Sequence, residues 1–154
     1  VMAAMVPIAD SVAAVNALAQ EAQVVYVTCR REESTWITQA WLKQHGFPSP
    51  KAVYSCAHYH WKYVHAFHAA QGNESIVLID DMMERVVKSF GLVAREHTQI
   101  AIQLLKRIEV VGLGYTTAPA LPANMPFAYS LLPSWQPEHV TRWQARTRQK
   151  AYAY

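Results

Sequence analysis

Apolar and polar positions along this chain fall into blocks that switch between a helical period and short continuous runs. Val12, Val15, Leu18 and Ala22 mark one face of a helix, and Asp10 or Ser11 can cap it, because a short side-chain oxygen satisfies a free helical N–H. Val24-Val25-Tyr26-Val27 then reads as a short buried strand ending at Thr28, Cys29, Arg30 and Arg31. Ser34 or Thr35 opens the next helix, whose apolar side carries Trp36, Ile37, Ala40 and Trp41. It stops at His45-Gly46, with Pro48 and Pro50 beyond. Lys51 to Cys56 is a third strand-like piece, and Tyr59 to Gln71 is helical with Gly72-Asn73 as its stop.

The clearest run follows. Ile76-Val77-Leu78-Ile79 enters two adjacent carboxylates, Asp80 and Asp81, as a buried parallel strand with an acidic end would. The chain has only three aspartates, and two are here. Met82 to about Ser89 is helical and stops near Gly91. Leu92-Val93-Ala94 suits a short edge strand, Thr98 to Arg107 a helix, and Val110 to Gly114 a strand or turn. Helix and strand patterns alternating in this way predict an α/β layer on a parallel sheet.

The pattern changes after Tyr115. Five of the eight prolines fall between Pro119 and Pro137, and proline cannot donate to a ladder, so this stretch is expected to be mostly irregular. The expected organisation is an α/β core over residues 1–115. Residues 116–154 form an arm packed through Phe127, Tyr129, Leu131 and Trp135, ending in a basic helix with Arg142, Arg146, Arg148 and Lys150.

Bulk properties narrow the function classes. With 154 residues, 52% hydrophobic and 16% charged, the chain is expected to be one folded domain. No apolar run is long enough to span a bilayer. No Lys or Arg precedes Arg30, so the apolar N-terminus lacks the basic region of a secretion signal. Cys29 and Cys56 lie outside any CxxC pair, which favours a reduced, cytoplasmic setting and gives no support to a metal or redox motif. A net charge of +3 does not by itself imply nucleic acid.

Three features have a use in phosphoryl chemistry. A strand ends in Thr28, whose hydroxyl can hold a phosphate oxygen. Lys62 lies near the start of a later helix and can neutralise phosphate charge. Asp80 and Asp81 can hold Mg²⁺. This order resembles the haloacid dehalogenase (HAD) superfamily of phosphotransferases over roughly residues 8–95. The matching stretches are Val24 to Arg30, the helix ending Trp41-Leu42-Lys43-Gln44-His45-Gly46-Phe47-Pro48, and Ile76 to Met82.

The resemblance implies a three-layer α/β sandwich with a parallel, Rossmann-type sheet, and the sequence leaves little room for a large cap domain. Thr28 would be the second motif, Lys62 (with Lys51 as the alternative) the third, and Asp80 and Asp81 the metal-binding fourth. Apart from the resemblance, Arg30-Arg31 followed by Glu32-Glu33 reads as a solvated turn, with Arg30 facing an anionic substrate, a small phosphorylated molecule, as the alternative. The family's first motif, an apolar strand followed by Asp-x-Asp that supplies the nucleophile, is absent from this chain. It would belong on the central strand of the sheet, between the strand ending at Thr28 and the strand ending at Asp81. Val1 to Val6 can fill that slot without carboxylates, or the strand can lie upstream or come from another chain. The expectation is therefore a Mg²⁺-dependent phosphatase-like domain, inactive as this chain stands. The competing expectation is a non-catalytic binding module of the same fold, working through a homodimer or protein partner at the sheet edge or the C-terminal arm.

Blander readings stand beside these. Asp80 and Asp81 suit a helix start by the dipole alone, Thr28 a turn, and Lys62 a solvated helix face. His58, His60, His65 and His68 cluster within eleven residues, but no Cys or carboxylate joins them at ligand spacing, so aromatic packing or polar contacts are the simpler expectation. Gly112-Leu113-Gly114 lacks the third glycine and the following helix of a dinucleotide fingerprint.

Overall fold

The computed structural model describes residues 5–72 and 74–151, with side chains up to residue 146. Its elements in chain order are α1 (Ser11–Leu18), β1 (Tyr26–Thr28), α2 (Thr35–Gln44), β2 (Val53–Ser55), α3 (His60–Ala69), β3 (Ile76–Asp80), α4 (Met83–Glu96), α5 (Thr98–Leu104), β4 (Ile108–Leu113), β5 (Ala128–Leu132) and α6 (Pro137–Ala151). A 3₁₀ turn, Glu32–Ser34, leads into α2. The protein is mixed α/β, and every strand pairing among the described residues is parallel.

The described strands form two sheets. One holds β1 and β2, with Thr28 opposite Ser55; the other has the order β3-β4-β5, with Asp80 opposite Gly112. Side-chain alternation decides which way each strand faces. Ile76 and Leu78 of β3, with Ile108 and Val110 of β4, enter a core with Tyr63 of α3, Val86 and Phe90 of α4, and Leu104 of α5. Ile79, Val111 and Leu113 join the other core with Ala14 and Leu18 of α1, Leu132 of β5, and Trp135, Val140 and Trp143 of the α6 region. Helices therefore cover both faces of the β3–β5 sheet. Packing of α3 against both β1 and β3 joins the two sheets, although those strands share no ladder.

The alternation of parallel hydrogen bonds shows what lies at the join. Within such a pair, every second residue bonds to the same neighbour and the residues between bond to the other side. The Tyr26 N–H donates to the Ala52 carbonyl at 2.8 Å and the Cys56 N–H to the Thr28 carbonyl at 2.9 Å, which leaves the backbone of Val27 aimed away from β2. The Ile76 N–H donates to the Arg107 carbonyl at 2.7 Å, which leaves Val77 and Ile79 aimed away from β4. Among the described residues, neither edge is paired, and the side chain of Val77 is left exposed.

Some expectations need correction. Leu92-Val93-Ala94 is not a strand: α4 runs through Gly91 to Glu96 because Val86, Phe90 and Val93 hold one buried helical face across the glycine. The proline-rich stretch contributes β5, whose ladder with β4 lies between prolines, not at them. Asp10 is in the left-handed region at φ 65° with no side-chain capping bond, and the Ser11 hydroxyl donates to the Ile8 carbonyl at 2.6 Å. The Gly46 stop holds: its φ is 77°, and the Phe47 N–H donates back to the Leu42 carbonyl at 3.0 Å. Of the candidate slot-filling segment, Val1 to Ala4 lie outside the described residues. Met5 and Val6 are exposed and not in a strand, and the Met5 carbonyl accepts from the Trp41 indole at 2.8 Å. Asn73 and the side chains of Arg148 and Lys150 also lie outside the described residues.

Candidate functional site

The candidate site begins with one buried ion pair. Lys62 is in the first turn of α3, on the side that turns Tyr63 and Ala66 into the core, so its stem is buried with theirs. Its ammonium donates to Asp80 Oδ2 at the carboxyl end of β3. Only 11% of the lysine side chain and 6% of the aspartate remain exposed, so this is no surface pair. The second carboxylate oxygen, Oδ1, accepts the Met82 N–H at 2.8 Å and so holds the turn into α4. Lys62 Nζ also lies 5.2 Å from the centre of the Tyr59 ring.

Burial alone would pull the Lys62 ammonium down, but hydrogen bonding and attraction from Asp80 outweigh it and hold its pKa above the ordinary lysine value. Burial, with Asp80 nearby, pushes the Tyr63 phenol up. The Tyr63 hydroxyl donates to the Val86 carbonyl at 2.9 Å, which ties α3 to α4 beneath the pair.

The ends of β1 and β2 border this pair. Thr28 is half-buried, and its Oγ1 accepts the Arg30 N–H at 3.3 Å, so at present the hydroxyl shapes the turn after β1. Arg30 is exposed just beyond it. Cys29 and Cys56 lie one residue past the paired Thr28 and Ser55, and their sulfurs are 3.4 Å apart. Both cysteines are close enough to bear electrostatically on Lys62. Thus the ends of β1, β2 and β3 and the first turn of α3 converge on one place. Asp81, one residue on, is exposed. Lys51 is exposed before β2, at the opposite end of the strands, so Lys62 is the lysine the fold brings to this place.

The donors present do not fit Mg²⁺ as they stand. Both Asp80 oxygens are engaged, by Lys62 and by the Met82 N–H, which leaves the exposed Asp81 as the neighbouring carboxylate among the described residues. A Mg²⁺ shell needs octahedral oxygen ligation. Among the described residues, no three His, Cys, Asp or Glu side chains converge.

The histidine cluster disperses into packing. His65 stacks on Tyr54 at 5.5 Å between ring centres, His58 on His60 at 5.8 Å, and Trp61 meets His97 edge-on at 5.1 Å. Buried His60 places Nε2 3.2 Å from Glu96 Oε2. Among the described residues, no helix is long and apolar enough to cross a membrane. The cysteine pair was invisible in the sequence, because 27 positions separate residues that the β1–β2 register sets side by side. Comparison of the chain with protein-family models, with curated proteins and with solved structures gave no match.

Proposed function

We propose that this chain is the body of a HAD-like phosphomonoester hydrolase whose central strand and nucleophile are not among its described residues, and that it is inactive as it stands. The buried Lys62–Asp80 pair at the carboxyl end of β3, bordered by the β1 end that carries Thr28, is the observation that supports the reading most. Ligands of open α/β sheets sit at the carboxyl ends of strands. A lysine held cationic there suits an anionic substrate, and Thr28 and Arg30 are the neighbouring groups that would meet a phosphoryl oxygen.

On this reading the two sheets are parts of one, in a three-layer sandwich with the order β2-β1-slot-β3-β4-β5. Handedness supports that order. The crossovers β2-α3-β3 and β3-α4-β4 run in one direction across the sheet with their helices on one face. A strand in the slot, leading through α1 to β1, would run in the opposite direction with its helix on the opposite face, where α1 lies. All three connections then share one hand, as parallel crossovers do. The open edges at Val27 and at Val77 and Ile79 are where such a strand would pair.

No step is routed through Mg²⁺, because the carboxylates present do not make its site. The engagement of both Asp80 oxygens favours a second reading, a non-catalytic binding module of the same fold. Hydrolysis of p-nitrophenyl phosphate tests the proposal. The chain is expected to show no turnover above buffer, with or without Mg²⁺. Mg²⁺-dependent turnover that Asp81→Asn abolishes would overturn the inactive reading.

A further inference from the structure

We propose that Cys29 and Cys56 form a reversible dithiol–disulfide couple at the carboxyl ends of β1 and β2, oxidised by low-molecular-weight disulfides such as oxidised glutathione. These are the two cysteines of the chain, and neither is in a disulfide. They follow directly on the paired Thr28 and Ser55, so the ladder presents them as lateral neighbours. Adjacent strands lie about 4.8 Å apart, within the roughly 4.4–6.8 Å between Cα atoms that a disulfide spans. The sulfurs are already 3.4 Å apart, and a bond of about 2.05 Å needs a small side-chain rotation and no movement of the ladder. Backbone bonds fix the approach: the Cys56 N–H donates to the Thr28 carbonyl at 2.9 Å, and the Cys56 thiol points to that carbonyl at 3.4 Å.

Exposure assigns the order of events. Cys29 is exposed and Cys56 is buried. The Cys29 thiolate attacks one sulfur of oxidised glutathione, forming a mixed disulfide and releasing the first glutathione. Cys56 loses its proton, and its sulfur attacks Cys29 Sγ and expels the second glutathione. Two electrons pass from the cysteine pair to glutathione, and the two protein thiol protons are balanced by those of the two glutathione thiols formed. Burial and the Cys29 sulfur push the Cys56 thiol up to about 12, so Cys56 is the poorer first nucleophile toward glutathione. The bond would tie the turn bearing Arg30 to the turn leading into α3, beside Lys62. This inference does not depend on the phosphohydrolase reading.

The test equilibrates the native chain in oxidised and reduced glutathione and reads free thiols and intact mass. The expected result is a monomer that loses both thiols together, falls by about 2 Da and yields a peptide linking residues 29 and 56. Half-oxidation should come at a glutathione ratio at least ~10-fold more reducing than for the same chain in urea, because the fold holds the sulfurs together. Cys56→Ser should stop at a glutathione adduct on Cys29, and Cys29→Ser should take up none. A wild-type chain that stops at the Cys29 adduct, forms disulfide-linked dimers, or oxidises equally readily in urea would overturn the proposal, whatever the variants do.

Discussion

At the residue scale, the Lys62–Asp80 pair dominates. Two opposite charges, nearly out of water and hydrogen-bonded, are a poor source of stability against an apolar pair but are costly to break. Asp80→Asn leaves the ammonium buried without its partner charge and is expected to destabilise the fold by about 3–5 kcal/mol. Lys62→Met combined with Asp80→Asn should recover much of that loss, and urea unfolding of the single and double variants measures the difference. The pair also sets an alkaline limit. Because the Lys62 pKa is raised on folding, its contribution is fully present below the ordinary lysine value of 10.5 and is lost as pH climbs through the folded value. The stability gap between wild type and Lys62→Met should therefore stay flat through neutral and mildly alkaline pH and shrink above that value. A gap that instead shrinks between pH 6 and 9 would show that another group carries it. The sequence put Lys62 and Asp80 on the same short roster, but the solvated-lysine reading was the simpler one. Burial of Lys62 follows from its place beside Tyr63 and Ala66, which only packing reveals.

At the scale of elements, β4 holds the site in place. It lies between β3 and β5, and Gly112 sits opposite Asp80. A Cβ at Gly112 would lie 2.5 Å from Met83 Sδ and 2.9 Å from Tyr115 Cδ2, so the missing side chain leaves room for the start of α4 and for the turn after β4. Gly112→Ala is expected to cost about 1–3 kcal/mol by overpacking, measured as a lower urea midpoint. Gly91→Ala, with open space around its Cβ and a helical position, should be neutral or slightly stabilising in the same measurement. This contrast explains why glycine misled at one position. Gly91 has the look of a helix stop in sequence, yet the apolar face of α4 continues through it. Gly112 sits in what reads as an ordinary strand or turn, and the crowding at its Cβ comes from residues at positions 83 and 115.

At the scale of the whole molecule, the division of the strands into two sheets governs behaviour. Amides that face a ladder should be protected from exchange, and amides that face an open edge should not. In hydrogen exchange by NMR, Leu78 and Asp80 are expected to exchange slowly, whereas Val27, Val77 and Ile79 exchange quickly in the 154-residue chain. Strong protection of all five would mean that the slot is filled and would sink the open-edge reading. The two-sheet division also bears on partners. Unpaired strand edges are templates for another strand, and on the proposed reading the strand that fits is parallel and precedes α1.

Local pattern was enough to determine the parallel α/β character, the strand running into Asp80, the stop at Gly46 and the helical stretches other than α4 beyond Ser89, because period and capping chemistry are properties of neighbouring residues. It was also enough to bring forward Thr28, Lys62, Asp80 and Asp81 as a set. Tertiary structure alone decided that Lys62 and Asp80 form a buried pair, that both Asp80 oxygens are engaged, and that β5 emerges between prolines to extend the sheet. It alone set Cys29 beside Cys56 and, among the described residues, left an edge of β1 and of β3 unpaired. Each of these depends on which strand lies next to which, and that order is fixed by long-range burial and ladder hydrogen bonds that no window of sequence contains.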